Sequence, residues 1–239
     1  MINNLKNLAA KAALKYIRNN NNIIGIGSGT TITHFIDILS TIKKKIRGVV
    51  STSQDSTNKL KKYNFNIYKT NKINKIEIYF DSADEINNHM QMIKGGGAAL
   101  TNEKIISNFA DLFVCIIDQS KCVKDLGKLH PVPIEIIPTA EAYIVKKLLS
   151  LGVKIKLRKN TVTEHGNIIL DVYNLNIHDP IQTERYINNI PGVVTVGLFA
   201  KRCADVVIVG KHNYKVSITE NKKYKNFYKK KDKQNIYTQ

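Results

Sequence analysis

Short apolar runs alternate with amphipathic stretches along the first half of the chain. Leu5, Leu8, Ala9, Ala12 and Tyr16 recur at helical spacing, which predicts an amphipathic first helix. Other apolar runs have the length of buried strands, at residues 23–26, 45–50, 76–80 and 112–117. Amphipathic stretches between them predict helices over residues 30–39, 54–62 and 98–109. Strands that alternate with helices predict a doubly wound, parallel sheet.

The pattern changes near Pro131 and Pro133, where the regular alternation stops. Beyond this point, periodicity predicts helices over residues 139–149 and 180–189 and strands over residues 154–158, 167–173 and 193–199. These elements carry no obvious ligand loop, so they indicate a compact α+β unit. A last apolar run at residues 204–210 predicts a strand that returns to the first sheet.

We therefore expect an α/β fold with two domains. Residues 1–130 and 204–220 would form a Rossmann-like, mostly parallel sheet flanked by helices, and residues 131–203 a second, smaller α+β domain. Residues 221–239 are rich in lysine and poor in apolar side chains, which predicts a basic, mobile tail.

The net charge of +18 comes almost entirely from lysine. Arginine is the preferred residue for bidentate base and phosphate contacts, and the chain has only five arginines. The abundance of Asn, Ile and Tyr fits an A/T-rich genome, so biased composition is the favoured explanation of the charge. We expect no specific nucleic-acid partner. Nucleic-acid binding through the lysine-rich tail is the alternative.

No apolar run approaches the roughly 20 residues that a membrane-spanning helix needs, and the N-terminal stretch is broken by charge. Three scattered cysteines fit neither a disulfide framework nor a zinc site, and the six histidines show no metal-ligand spacing. These features predict a soluble, cytoplasmic protein without a metal site or a membrane partner.

A glycine-rich turn joins the first predicted strand to the helix that follows. Residues 25–31 read Gly-Ile-Gly-Ser-Gly-Thr-Thr, and a helix N-terminus offers free N–H groups and a favourable dipole to a phosphate. The hydroxyls of Ser28, Thr30 and Thr31 add donors, although the Gly-Lys-Ser/Thr ending of a P-loop is absent. Phosphate binding is the favoured interpretation, and an ordinary capped turn is the alternative.

Two carboxylates follow the strand at residues 76–80, where open α/β sheets bind ligands. Asp81 and Asp84 are three residues apart, so a turn would point both to one side. Close carboxylates can hold different pKa values and divide acid and base roles. A helix N-cap at Asp81 is the alternative.

Lys94 precedes three adjacent glycines, and Glu103 follows on the next predicted helix. A cation beside bare backbone N–H groups can stabilise an oxyanion, whereas a flexible hairpin is the alternative. A partly desolvated glutamate has a raised pKa and can act as a base near neutrality. A surface glutamate is the commoner case. Together these groups suit proton transfer on an anionic small molecule.

These motifs, in this order, resemble type A ribose-5-phosphate isomerases, and the likeness covers almost the whole chain except the basic tail. It extends through Pro-Val-Pro-Ile-Glu at 131–135, Thr-Glu-His-Gly-Asn at 163–167 and Pro-Gly-Val-Val at 191–194. The resemblance implies interconversion of D-ribose 5-phosphate and D-ribulose 5-phosphate through an enediol(ate), in the non-oxidative branch of the pentose phosphate pathway. It implies no metal, no cofactor, a sugar-phosphate substrate and a homodimer or homotetramer.

The same resemblance assigns roles to individual residues. Glu103 matches the family's proton-transferring base, Asp81 the carboxylate that assists ring opening, with Asp84 beside it, and Lys94 a charge-stabilising lysine. Lys121, after a strand end, matches a further substrate contact. The remaining residues that match substrate-binding positions are Ser28, Gly29, Thr30, Thr31, Ser82, Ala83, Gly95, Gly96 and Gly97.

The chain departs from the family pattern at a few positions beside these motifs. Ser82 replaces a glycine, Asn102 a basic residue, and Glu164-His165 a commoner Asp-Asn pair. Ser82 would alter the geometry of the aspartates if its position requires a positive φ. Asn102 neighbours the predicted base. A non-catalytic sugar-phosphate sensor, or another phosphosugar isomerase or lactonase of this architecture, remains an alternative.

Overall fold

The computed structural model describes residues 2–17, 22–222 and 224. Its strands are β1 Asn22–Ile26, β2 Ile46–Ser51, β3 Ile76–Asp81, β4 Glu85–Ile86, β5 Met92–Ile93, β6 Ala110–Asp118, β7 Val132–Ile136, β8 Lys154–Leu157, β9 Ile168–Tyr173, β10 Val193–Val196, β11 Leu198–Phe199, β12 Val206–Gly210 and β13 Val216–Glu220. Its α-helices are α1 Ile2–Ala13, α2 Gly29–Leu39, α3 Gln54–Lys62, α4 Leu100–Phe109, α5 Glu141–Leu149 and α6 Pro180–Asn188. Short 3-10 helices cover Leu14–Tyr16, Ser40–Lys45, Thr70–Lys72, Gln119–Lys121 and Pro138–Ala140.

A six-stranded sheet in the order β2-β1-β3-β6-β12-β13 forms the larger part of the molecule. Its strands pair in parallel except for β13, which pairs antiparallel with β12 at the edge. Because β2 and β3 lie on opposite sides of β1, the chain reverses its direction across the sheet between β1 and β3. This switch point opens a crevice beyond the carboxyl ends of the two strands. The predicted mostly parallel sheet is confirmed.

Apolar side chains cover both faces of this sheet, as is typical of parallel sheets. On one face, α1, α2 and α3 supply Ala9, Phe35 and Leu60 to the core. On the other face, Ile106 of α4 packs with Tyr79 of β3. The amphipathic first helix is confirmed over Ile2–Ala13, and the short 3-10 helix Leu14–Tyr16 continues it.

An antiparallel sheet in the order β10-β7-β9-β8 forms the smaller part, together with α5 and α6. It has its own apolar core, in which Ile134, Ile144 and Ile187 are fully buried. The smaller α+β unit is therefore confirmed, while its limits at residues 131 and 203 stay a prediction. Of the predicted basic tail, residues 223 and 225–239 lie outside the described part of the chain.

The single strand predicted over residues 193–199 is wrong, because the chain changes sheets at Gly197. β10 pairs with β7, whereas β11 pairs with β5 in a three-stranded sheet of β11, β5 and β4. A Cβ at Gly197 would lie 2.3 Å from the carbonyl oxygen of Lys94, so the crossing requires glycine. The Gly197 carbonyl in turn accepts a hydrogen bond of 2.9 Å from the Lys94 amide. This crossing fixes the backbone at Lys94.

Candidate active site

Two tight turns meet at the switch point, after β1 and after β3. A Cβ at Gly27 would lie 1.9 Å from Cγ of Asp81, so only glycine lets the first turn pass this carboxylate. The Ser28 amide, which follows, donates to Asp81 Oδ1 at 3.0 Å. Ser82 has no positive φ, so its side chain causes no backbone strain. The substitution of serine for glycine at this position leaves the turn intact.

Asp81 ends β3 and is fully buried. Its Oδ1 accepts the Ser28 amide and also the Ser82 amide, the latter at 2.7 Å. Its Oδ2 accepts a short hydrogen bond from the Tyr79 hydroxyl and lies 2.8 Å from Nζ of Lys94. Backbone donors and a cation thus hold the carboxylate in one orientation.

Lys94 follows β5, and its side chain is only 3% exposed. Its Nζ donates to the Ser82 carbonyl at 2.5 Å and lies 3.2 Å from Oε2 of Glu103. The ammonium also lies 5.6 Å from the centre of the Phe199 ring, within range of a cation–π interaction. Burial opposes the positive charge, but Asp81 and Glu103 outweigh it and raise the pKa of Lys94. Lys94 therefore remains a cation.

Glu103 lies in the first turn of α4 and is 3% exposed. Its Oε1 accepts a hydrogen bond of 2.6 Å from the Ser28 hydroxyl. Its Oε2 faces the Lys94 ammonium but accepts no well-aligned hydrogen bond from the described residues. Burial raises the pKa of Glu103 to about 7, although Lys94 opposes the shift, and the charge of Asp81 adds to it. A carboxyl group with this pKa can gain and lose a proton near neutral pH.

The glycine loop after Lys94 packs against the same crevice. The Gly96 amide donates to Oδ2 of Asp84 at 2.8 Å, and a Cβ at Gly97 would lie 3.7 Å from the Ser28 hydroxyl. Nη1 of Arg158, from the smaller part of the molecule, donates to the Gly95 carbonyl at 2.9 Å. Asp84 therefore braces this loop, while Asp81 contacts Lys94. A catalytic role of Asp84 stays a prediction.

The N-terminus of α2 borders the crevice on the other side. The helix begins at Gly29, Ser28 is its N-cap without a side-chain capping bond, and Thr30 is exposed. Nζ of Lys6, on α1, donates to the Thr30 hydroxyl at 2.7 Å. Free amides, hydroxyls and a cation thus converge at one helix start, which suits a phosphate group.

Sequence reasoning missed three residues of this region: Lys6, Tyr79 and Arg158. Each lies far along the chain from the motif that it contacts, or inside a strand, where its type suggests only a core role. Two other residues that the sequence predicts to bind substrate are Ala83 and Lys121. Ala83 packs its side chain into the core, and Lys121 lies half-buried after β6, at the same sheet edge. Their contacts with substrate stay predictions.

The described residues contain no group of three or more His, Cys, Asp or Glu that could hold a metal ion. Among them, too, no helix is long and apolar enough to cross a membrane. The crevice gathers a buried glutamate with a raised pKa, a fixed carboxylate, a buried cation and a helix start that suits an anion. A Rossmann-like sheet with this set of groups at its switch point defines an enzyme for proton transfer on a phosphorylated small molecule.

Comparison with known proteins identifies the family. The family model of ribose 5-phosphate isomerase A (phosphoriboisomerase A) matches residues 48–214. Ribose-5-phosphate isomerase A of Buchnera aphidicola subsp. Acyrthosiphon pisum (strain Tuc7) is 56% identical over 209 residues, 87% of this chain and 93% of that protein. The Blochmanniella floridana protein of the same name is 54% identical over 206 residues, 86% of this chain and 92% of its own.

Solved structures of ribose-5-phosphate isomerases are also similar to this chain. Ribose 5 phosphate isomerase A from Neisseria gonorrhoeae has 42% identity and a TM-score of 0.86, covering 90% of this chain and 96% of that chain. A D-ribose-5-phosphate isomerase in complex with phospho-erythronic acid has 35% identity and a TM-score of 0.88, covering 92% and 100%. The chain belongs to the ribose 5-phosphate isomerase A family, and the predicted resemblance is confirmed.

Proposed function

We propose that this chain interconverts D-ribose 5-phosphate and D-ribulose 5-phosphate, with Glu103 as the base that moves the proton between C1 and C2. The observation that carries this proposal is the environment of the Glu103 carboxylate. Its carboxylate is buried, oriented by the Ser28 hydroxyl and close to the Lys94 ammonium, and burial raises its pKa to about 7. A general base works best when its pKa lies near the operating pH.

The phosphate of the substrate would bind at the start of α2. The amides of Gly29, Thr30 and Thr31 are in the first turn, where they have no partner within the helix. Lys6 adds positive charge beside Thr30, and Lys121 follows strand β6, which is separated from β1 by β3. The overall charge of +18 would raise the local concentration of anionic sugar phosphates.

Asp81 serves ring opening, and Lys94 serves the proton transfer that follows. Asp81 takes the proton of the anomeric hydroxyl and passes it to the ring oxygen as the bond between C1 and that oxygen breaks, which opens the furanose ring. Glu103 then removes the proton from C2, and Lys94 stabilises the negative charge that develops on O1 of the enediolate. Return of the proton to C1, with transfer of a hydroxyl proton from O2 to O1, gives the ketose. The Gly95–Gly97 backbone would lie against the sugar.

Relatives of this chain support a sugar-phosphate substrate and a place for the reaction in sugar metabolism. A structural relative binds phospho-erythronic acid, a phosphorylated sugar acid, which supports a sugar-phosphate substrate here. The reaction belongs to the non-oxidative branch of the pentose phosphate pathway. We further propose a cytoplasmic location and a homodimeric or homotetrameric assembly.

The direct test is formation of ribulose 5-phosphate from ribose 5-phosphate, with a chelator present, by wild type and Glu103→Gln. Glu141→Gln is the matched control, because Glu141 also lies in the first turn of a helix, α5, away from the crevice. We expect conversion by wild type and by the control, undiminished by the chelator. Folded wild type without activity would favour the sugar-phosphate sensor instead.

A further inference from the structure

The helix that carries Glu103 has a weakly defined start. Ala99, the N-cap of α4, makes no side-chain capping bond, and Ala98 before it has a φ of 60°. A helix of 10 residues without a cap has little stability of its own. Glu103 lies on its first turn, where small shifts of the backbone move the carboxylate directly. Something outside the helix must therefore fix this turn.

Two residues directly before Glu103 are tied to the smaller part of the molecule. The Thr101 hydroxyl donates to Oε2 of Glu135 at 2.5 Å. Nδ2 of Asn102 lies 3.2 Å from Oε2 of Glu164, and Oδ1 of Asn102 lies 2.9 Å from Nε2 of His165. We call Thr101, Asn102, Glu135, Glu164 and His165 the α4 clamp.

The partners in the clamp are themselves held firmly. Glu135 lies on β7, is 1% exposed, and accepts from the Thr163 hydroxyl at 2.8 Å and from Nδ2 of Asn167 at 2.9 Å. Oε1 of Glu164 accepts from the Gln54 amide at 2.7 Å, at the start of α3. The loop at residues 163–167 is thus anchored on both sides, so it can hold α4 in one place.

Asn102 also reaches the loop after β2, because its Nδ2 donates to the Thr52 carbonyl at 3.2 Å. The first turn of α4 is therefore connected to the carboxyl end of the large sheet and to the four-stranded sheet at once. Asn102, Glu164 and His165 contact one another here and form one network.

We propose that the α4 clamp positions the carboxylate of Glu103 for proton transfer, so that Thr101 and Asn102 are positioning residues of this enzyme. Among the described residues, no hydrogen bond or ion pair joins a clamp side chain to Asp81 or Lys94, and the start of α2 lies outside the clamp. The clamp therefore acts on turnover more than on substrate affinity. The inference rests on the proposed function, because it assigns a role toward the proposed base.

The experiment compares kcat and KM of isomerisation for matched variants. Thr101→Val removes the hydroxyl at nearly constant shape, and Thr101→Ser retains it. Asn102→Ala removes the amide, and Asn108→Ala removes an amide on the same helix that donates to the Lys104 carbonyl at 2.8 Å and is not part of the clamp. We expect kcat to fall about 10- to 100-fold in Thr101→Val and Asn102→Ala, as for a displaced catalytic group. Thr101→Ser and Asn108→Ala should match wild type.

Coupling within the clamp gives a second readout. Because Asn102 and His165 share a hydrogen bond, the kcat losses of Asn102→Ala and His165→Ala should combine to less than their product. A KM that stays within about threefold of wild type completes the expected pattern. The proposal is overturned if kcat is unchanged, if only KM rises, or if the variants lose thermal stability alone. Inactive wild type would instead reject the proposed function.

Discussion

Glu85 and Glu103 are both buried glutamates, but their carboxylates accept hydrogen bonds from different donors. Glu85 accepts hydrogen bonds from the amides of Gly127, Leu129 and His130, at 2.6 to 2.7 Å. Glu103 accepts one hydroxyl and faces one ammonium. A buried carboxylate with several amide donors organises a loop, whereas one with few donors retains a raised pKa and can exchange a proton.

The largest expected effect is the difference in kcat between substitution of Glu103 and substitution of Glu85. Glu103→Gln should lower kcat by about 10²- to 10⁴-fold, the usual contribution of a general base. Glu85→Gln keeps the base and should lower kcat far less. Steady-state kinetics of the two variants measure this difference, and equal losses would remove the distinction between the two sites.

Lys94→Ala should damage both turnover and sugar-phosphate affinity. Its ammonium lies within 3.2 Å of two buried carboxylates, and loss of a charge-stabilising group costs about 10²- to 10³-fold in kcat. Removal of one partner from a buried ion pair also destabilises a protein by about 3–5 kcal/mol. Kinetics and denaturant unfolding test both effects. Unchanged kinetics in folded protein would exclude Lys94 from the mechanism.

Substitution of each glutamate should also change the free energy of unfolding. Glu85→Gln weakens charge-assisted bonds and should cost about 1.5–3 kcal/mol. Glu103 has a folded pKa near 7 against an ordinary 4.5, so the unfolded chain releases this proton first as the pH rises. Wild type therefore loses stability between about pH 4.5 and pH 7 relative to Glu103→Gln. Unfolding at pH 5 and pH 8 checks the sign, and a difference that is the same at both pH values would contradict it.

The pH dependence of kcat/KM should follow Glu103 ionisation. Since the base acts when it is ionised, kcat/KM for ribose 5-phosphate should fall below about pH 7. An initial-rate profile from pH 5 to pH 9 shows this limb. An acid limb near the ordinary pKa of a glutamate would mean that burial does not control the base.

Ser28→Ala should have the smallest effect. The Ser28 hydroxyl stabilises ionised Glu103 and lowers its pKa in part, so its loss should move the acid limb of kcat/KM to higher pH. We expect a several-fold loss of kcat/KM at pH 6, about the value of one hydrogen bond to a charged group. A shift of the limb to lower pH would be inconsistent with this bond.

Much of the fold and site could be predicted because the signals are local. Alternating strands and helices place Asp81 at a strand end, and the glycines around Ser28 and Lys94 mark turns. The contacts of Lys6, Arg158 and the α4 clamp could not be predicted, because they join residues far apart in sequence. Strand β7 was not predicted, because Pro133 lies inside it and proline is rare within central strands.

The most direct measurement is the pKa of Glu103 itself. Carbon-13 labelling of glutamate side chains would follow each carboxyl by NMR during a pH titration, and Glu103→Gln would identify the signal by its loss. The account predicts a midpoint near pH 7 for this carboxyl. A midpoint at or below 4.5, the ordinary value for glutamate, would contradict the claim that burial prepares Glu103 as the base.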